Sequence, residues 1–372
     1  MGPALATHAA RRPLLEVIEN SLGLIPAFAL RVICALFLVL WIANLMVLPV
    51  WGWYSDTLRR TVSSTESGLF AAAVLAFLFV TGFQSLRTEA KLATFSNKLG
   101  TAILIAALVR VRAGWPAVLD FKSPYDFSWA AEVWSGLSQM AVYVAPLALL
   151  AADFGYHSRD RRQVAMTGLV GVAIPLFGSL LLVGVINAAT HASPYYQPSL
   201  EPSIAMALWS HTARTALHGR MLIAALTIFG AVRFGARELG KIASIRTLTT
   251  RRGRIWLGCF VATAAWSCLH PFAPAFTTAF EFSGRCLGVA GAVLTGDFLT
   301  GRRSLEQISR IDWVGAFALL AGLATPVYLR YALLESTSDP WRYPLLLPSY
   351  VVALLTCVCG RTAQKRFVRA RN

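Results

Sequence analysis

Ten apolar stretches, most of them close to the length that a bilayer requires of a helix, constrain this chain more than any other feature of its sequence. They run over 22–48, 67–85, 95–111, 131–153, 164–187, 219–236, 255–272, 276–298, 313–331 and 342–360. A hydrocarbon core of about 30 Å is crossed by about 20 mostly apolar residues in a helix. Strands would be far shorter, and the alternation that a closed barrel demands is absent. The expected fold is therefore all-α: a polytopic membrane helix bundle of ten spans. Composition agrees. Of 372 residues, 56% are hydrophobic and 14% charged, with a mean hydropathy of +0.58. A soluble domain carries about 25% charged residues. An ordinary cytosolic enzyme, a disordered chain and a disulfide-rich secreted domain are excluded on these grounds.

The net charge of +16 invites a nucleic-acid reading, and the placement of the charges opposes it. The tail 1–21, the loops 86–98, 154–163, 237–254 and 299–312 and the tail 361–372 hold 22 Lys and Arg; the alternating loops hold 5. Cytoplasmic loops collect basic residues. The asymmetry predicts ten spans with both termini in the cytoplasm of a cell-membrane protein, and basic faces that meet anionic lipids of the cytoplasmic leaflet. Residues 1–21 read as a cytoplasmic tail without a removable signal peptide, 22–360 as a single membrane domain, and 361–372 as a basic tail. The long outer loop 188–218 carries an irregular stretch, 191–202, and a short helix over 203–217.

The residues that carry chemistry are few. Cys34, Cys259, Cys268, Cys286, Cys357 and Cys359 all lie in apolar runs without metal spacing and read as packing groups. No metal site, cofactor or enzymatic activity is expected. The Asp153-Phe154-Gly155 triplet lacks every companion motif of a kinase, and neither a Walker-type phosphate loop nor a nucleophile elbow is present.

Charges within spans are the stronger signal. Arg31 and Arg330 are read as reaching toward the interface, and Glu281 and Arg285, one turn apart, as a pair. Asp153 and Asp297 are read as anchors at span ends. Arg233, about thirteen residues into its span, and Lys98 either serve a solute pathway or reach the cytoplasmic interface. Pro146 and Pro175 sit mid-span and free backbone carbonyls, which makes either a harmless kink or a binding site near Ala145.

Two segments carry a family resemblance. The stretch 145–187, opening APLALLAADFGYHSRDRRQ, resembles the sixth and seventh helices of nucleobase–cation symporter family 1, the cytosine, uracil, allantoin and hydantoin permeases. GVAGAVLTGDFLTGRR (288–303) resembles its tenth helix. ARELGKIASIRTLTTRRGRIWL (236–257) is similar to the loop after the eighth helix, and IPAFALRVICALFLVLW (25–41) to the third.

The resemblance implies a leucine-transporter fold that here lacks the family's first two helices, the ten spans matching its third through twelfth. It implies alternating-access transport of a small heterocyclic substrate. Trp41 matches the third-helix tryptophan that stacks on a planar solute. The amide position four residues later falls at Leu45, with Asn44 beside it. The sixth-helix tryptophan falls at Val144, beside Tyr143. Trp41, Asn44, Tyr143 and Ala145 are thus the expected substrate site. Thr227 matches a hydroxyl of the family's sodium site, and the substrate asparagine falls at Val232, next to Arg233. With so few oxygen ligands, coupling is expected to use protons or nothing, with Thr227, Arg233 and Lys98 at the ion position. A second reading from a different class is a non-transporting accessory or scaffold protein derived from such a permease.

Overall fold

The structure is a computed structural model. It describes residues 2–58, 144–174, 273–301, 309–333 and 346–371, and isolated residues or short runs between 91 and 116, between 177 and 181, and at 238 and 242. Side chains of 42–58 fall outside that description. All regular structure among the described residues is helical. The chain divides into two compact units, one of 1–37, 125–173 and 277–372, the other of 38–124 and 174–276.

Unit 1 begins with α1 (Gly2–Ala10) and α2 (Leu14–Leu22), followed by α3 (Leu24–Leu58). Segment 1–21, expected as a tail, is thus built into the fold. The turn between α2 and α3 rests on Gly23, at φ +87°, where a Cβ would meet the backbone of Ile311 and Asp312 at 2.6 Å. Only glycine combines that dihedral with so close an approach. The first amides of a helix lack internal partners. Here Leu24 N–H donates to the Ser309 carbonyl at 3.2 Å and Ile25 N–H to that of Arg310 at 3.1 Å, while Asp312 N–H returns to the Leu22 carbonyl at 2.9 Å. Pro13 offers α2 no capping side chain, and Asp153 supplies one, its Oδ1 accepting from Leu14 N–H at 2.7 Å.

Helical residues 144–150 lead into α4 (Asp153–His157) and α5 (Arg161–Gly168). Asp160 caps α5 through its Oδ1, which accepts from Gln163 N–H at 2.6 Å, and Gln163 Oε1 accepts from Arg159 N–H at 2.8 Å. Gln163 thus reaches back one residue beyond the N-cap, a variant of the capping box. A π-helical turn, Leu169–Ala173, follows directly.

The core of unit 1 includes α6 (Ala273–Leu299), which meets α7 (Trp313–Leu333) where Gly322 faces Val289 and α8 (Leu346–Arg371) where Gly296 faces Cys357; α7 and α8 pack on each other. Every residue from 286 to 294 is buried, as expected of a helix apolar on all sides. Small residues let the backbones approach, the usual device where hydrocarbon surrounds the helices. A Cβ at Gly296 would lie 2.9 Å from both Cβ and Sγ of Cys357, and one at Gly288 2.9 Å from Leu346 Cδ1. Large apolar side chains face outward instead: Phe28 is 68% and Phe317 66% exposed. Helical segments Leu24–Trp41 and Leu346–Phe367, with mean hydropathy 2.4 and 1.5, are long and apolar enough to cross a membrane.

Among the other expectations, Cys34, Cys286 and Cys357 are buried free thiols and Cys359 is exposed, so the last two do face different ways. Glu281 and Arg285 pair at 3.7 Å. The Arg31 guanidinium is ion-paired with Glu19, because α2 brings that carboxylate alongside the first turns of α3. Pro175, helix 203–217 and the stretches 67–85, 219–236 and 255–272 lie outside the described residues, as does the side chain of Arg330.

Candidate functional site

Three helices of unit 1 converge on one buried cation. α8 buries Ser349, Ala353, Cys357 and Arg361, one residue per turn on a single stripe, and the last of these is 2% exposed. Arg361 Nε donates to Asp297 Oδ1 at 2.6 Å and Nη2 reaches Oδ2 at 3.4 Å. Nη1 pairs with Asp312 Oδ1 at 2.8 Å, and Nη2 also donates to the Ser21 carbonyl at 3.0 Å. Asp312 Oδ1 in turn accepts from Gly315 N–H at 2.9 Å and so caps α7. Cys357 Sγ lies 3.5 Å from Asp297 Oδ1. One guanidinium thereby fastens the end of α6, the start of α7 and the end of α2 to α8. A planar fork with five donors suits this, and an ammonium would not. The expectation that Asp297 anchors a span end holds. Its partner, counted by sequence among loop charges, is an interior residue.

Beside this cluster lies a cavity of about 600 Å³, walled by α1, α2, the start of α5 and the end of α6. His8, Asn20, Arg11, Arg161, Asp297 and Phe298 supply its functional groups. α1 forms the inner wall by docking on α4: Thr7 Oγ1 donates to the Ala152 carbonyl at 2.8 Å. A Cβ at Gly155 would stand 1.9 Å from the Ala4 carbonyl oxygen. Arg11 has φ +52°, and its Nη1 and Nη2 donate to the Ser158 and Arg159 carbonyls at 2.8 and 3.1 Å. The Arg161 guanidinium lies 5.7 Å from the centroid of the Phe298 ring. None of this was read from sequence, apart from the Asp-aromatic pair Asp297-Phe298.

The sequence-predicted residues are placed as follows. Trp41 is half-buried at the midpoint of the 35-residue α3, in unit 2. Asn44 lies one turn further along the same helix. Ala145 belongs to unit 1, half-buried and packed toward Gly288 of α6. Lys98 is exposed and lines a 420 Å³ pocket in unit 2 with Thr94, Thr101, Ala102 and Ile105, which fall on one helical face. Tyr143, Thr227 and Arg233 lie outside the described residues. Among the described residues no three His, Cys, Asp or Glu side chains gather as a metal site.

No family model and no curated protein matches the chain. A solved structure described as the inward facing conformation of Mhp1 is similar to it, with a TM-score of 0.58 and 15% sequence identity, over 100% of this chain and 81% of that one. The likeness shows the fold, a helical bundle of the leucine-transporter type.

Proposed function

We propose that the chain is a multi-pass membrane protein that acts as a secondary transporter, moving a small planar heterocycle of the nucleobase class across the cell membrane by alternating access. The observation that carries this reading is the full-length likeness to a structure named for its inward-facing state. Ten spans with both termini cytoplasmic follow from the 22-to-5 charge asymmetry.

In this mechanism no covalent bond forms. The substrate stacks on Trp41, with Asn44 offering an amide one turn away and Tyr143 and the backbone near Ala145 completing the site. Coupling runs on protons or is absent. The fixed charges of Arg233 and Lys98 and the hydroxyl of Thr227 stand at the position an ion would take. Anionic lipids of the inner leaflet contact the basic loops, and nucleic acid is no partner.

Uptake of labelled uracil, cytosine and hydantoin by cells expressing the chain is the test. The reading requires uptake above that of empty cells, lost in Trp41→Ala at unchanged expression. No uptake of any of the three compounds would defeat the substrate class. Unchanged uptake in Trp41→Ala would defeat the site, and a steep dependence on sodium would defeat the coupling.

A further inference from the structure

The cavity of unit 1 carries side chains whose hydrogen-bonding capacity the fold leaves unused. Asn20 is 8% exposed, and neither its Nδ2 nor its Oδ1 has a hydrogen-bond partner among the described residues. The same holds for Nδ1 of His8, also 8% exposed. Buried polar groups are nearly always paired, because leaving one unpaired costs the full desolvation of that group. Two guanidiniums line the same cavity. Arg11 is held by two carbonyls, and Arg161 lies over Phe298. The carboxylate there, Asp297, is bound to Arg361 at 2.6 Å, so its charge is already engaged.

These groups define a ligand by what it must offer. The guanidiniums and Asn20 Nδ2 ask for anionic acceptor oxygens. Asn20 Oδ1 asks for a donor, which a hydroxyl of the ligand supplies. A neutral solute would satisfy the amide and leave the cations without an anion. We infer that the cavity binds a hydroxyl-bearing phosphate ester, its phosphate on Arg161, Arg11 and Asn20 Nδ2 and its hydroxyl donating to Asn20 Oδ1. The volume of about 600 Å³ is that of a small-molecule site. The same chemistry has two sources: the glycerol phosphate headgroup of an anionic lipid, and free glycerol phosphate. This site is separate from the substrate site proposed above, and only its lipid source rests on the membrane placement.

The experiment uses the full chain purified into phosphatidylcholine nanodiscs. Thermal unfolding is followed while glycerol phosphate is titrated, and in parallel while phosphatidylglycerol replaces part of the lipid. A saturable rise in Tm is expected, with affinity about tenfold weaker in Asn20→Leu and in Arg161→Gln. Without ligand, Asn20→Leu is expected to unfold at or above the wild-type temperature, since its amide has no partner to lose. A purely structural asparagine would give the opposite. Arg161 is exposed, so Arg161→Gln folds and carries the test alone if Asn20→Leu does not. A response to free glycerol phosphate assigns the soluble ester, and a response to phosphatidylglycerol alone assigns the headgroup; both uphold the site. No saturable response to either, or an undiminished response in Arg161→Gln, overturns it. The readout is binding, so loss of uptake with binding intact, or the reverse, separates this inference from the transport reading.

Discussion

Replacing Arg361 with methionine removes the cation that lies between Asp297 and Asp312 while keeping most of the side-chain volume. Breaking a buried ion pair from one side costs about 3–5 kcal/mol, because a desolvated charge is left behind. Arg361→Met is therefore expected to lower the unfolding free energy in detergent by that amount, read as a clear fall in the unfolding midpoint. Arg361→Lys should recover only part of the loss, since an ammonium lacks the fork that serves two carboxylates and the Ser21 carbonyl at once. A midpoint unchanged in Arg361→Met would show that the clamp does not hold the helices. At this scale the sequence was half legible. Asp297 closes a span just before a basic loop and was readable as an anchor. Arg361 was not, because a lone arginine at the head of a basic tail looks like its neighbours. The available signal was periodic: Ser349, Ala353, Cys357 and Arg361 repeat every fourth position, all 2% exposed or less. A small-residue stripe that ends in a charge points that charge inward.

Helix α1 shows why an element can form where hydropathy predicts a tail. Its nine residues are too few to span a bilayer, and two arginines follow at once, so nothing local marks it as interior. What holds it is tertiary. Thr7 bonds the Ala152 carbonyl, Pro3 lies against Gly291, and Gly155 admits the Ala4 carbonyl to a distance no Cβ would allow. Gly155→Ala is expected to undock α1 at a cost of about 1–3 kcal/mol, the usual penalty of overpacking. Amide hydrogen exchange should rise over residues 2–10 and stay at the wild-type rate in α6 and α8. Protection of 2–10 equal to that of the wild type would contradict this docking. The π-turn at Leu169–Ala173 gives a related lesson. Pro175 drew attention as a breaker, yet the irregular backbone begins upstream of it, where no proline or paired glycines stand. Such turns are frequent at functional sites, and none has a simple residue code.

Across the whole molecule, hydropathy and charge proved most informative. They led to an all-helical bundle, and the likeness to a solved leucine-transporter-type structure bears that out. They were silent on which helices touch, because hydropathy reports the preferred solvent and not the neighbour. Moving Arg361 from the loops to the interior hardly alters the 22-to-5 asymmetry, so the topology prediction stands. Single cysteines placed in 188–218 and 237–254, in a chain stripped of its six native ones, should react with an impermeant reagent from opposite sides of the membrane. Reaction of both from one side would reverse the reading.

The composition of unit 1 from the first, middle and last parts of the chain also sets an order of events during synthesis. α1 and α2 leave the ribosome well before their partners on α6, which follow more than 250 residues later, and Arg361 comes later still. Until α8 is made, Asp297 and Asp312 lack the cation that binds them in the folded unit. Assembly of this unit therefore waits for α8. A ribosome that stalls short of Arg361 releases a chain in which every helix of the clamp except the one carrying its cation is present. Such a product carries two carboxylates whose cation never arrives, and a desolvated charge left without its partner is costly.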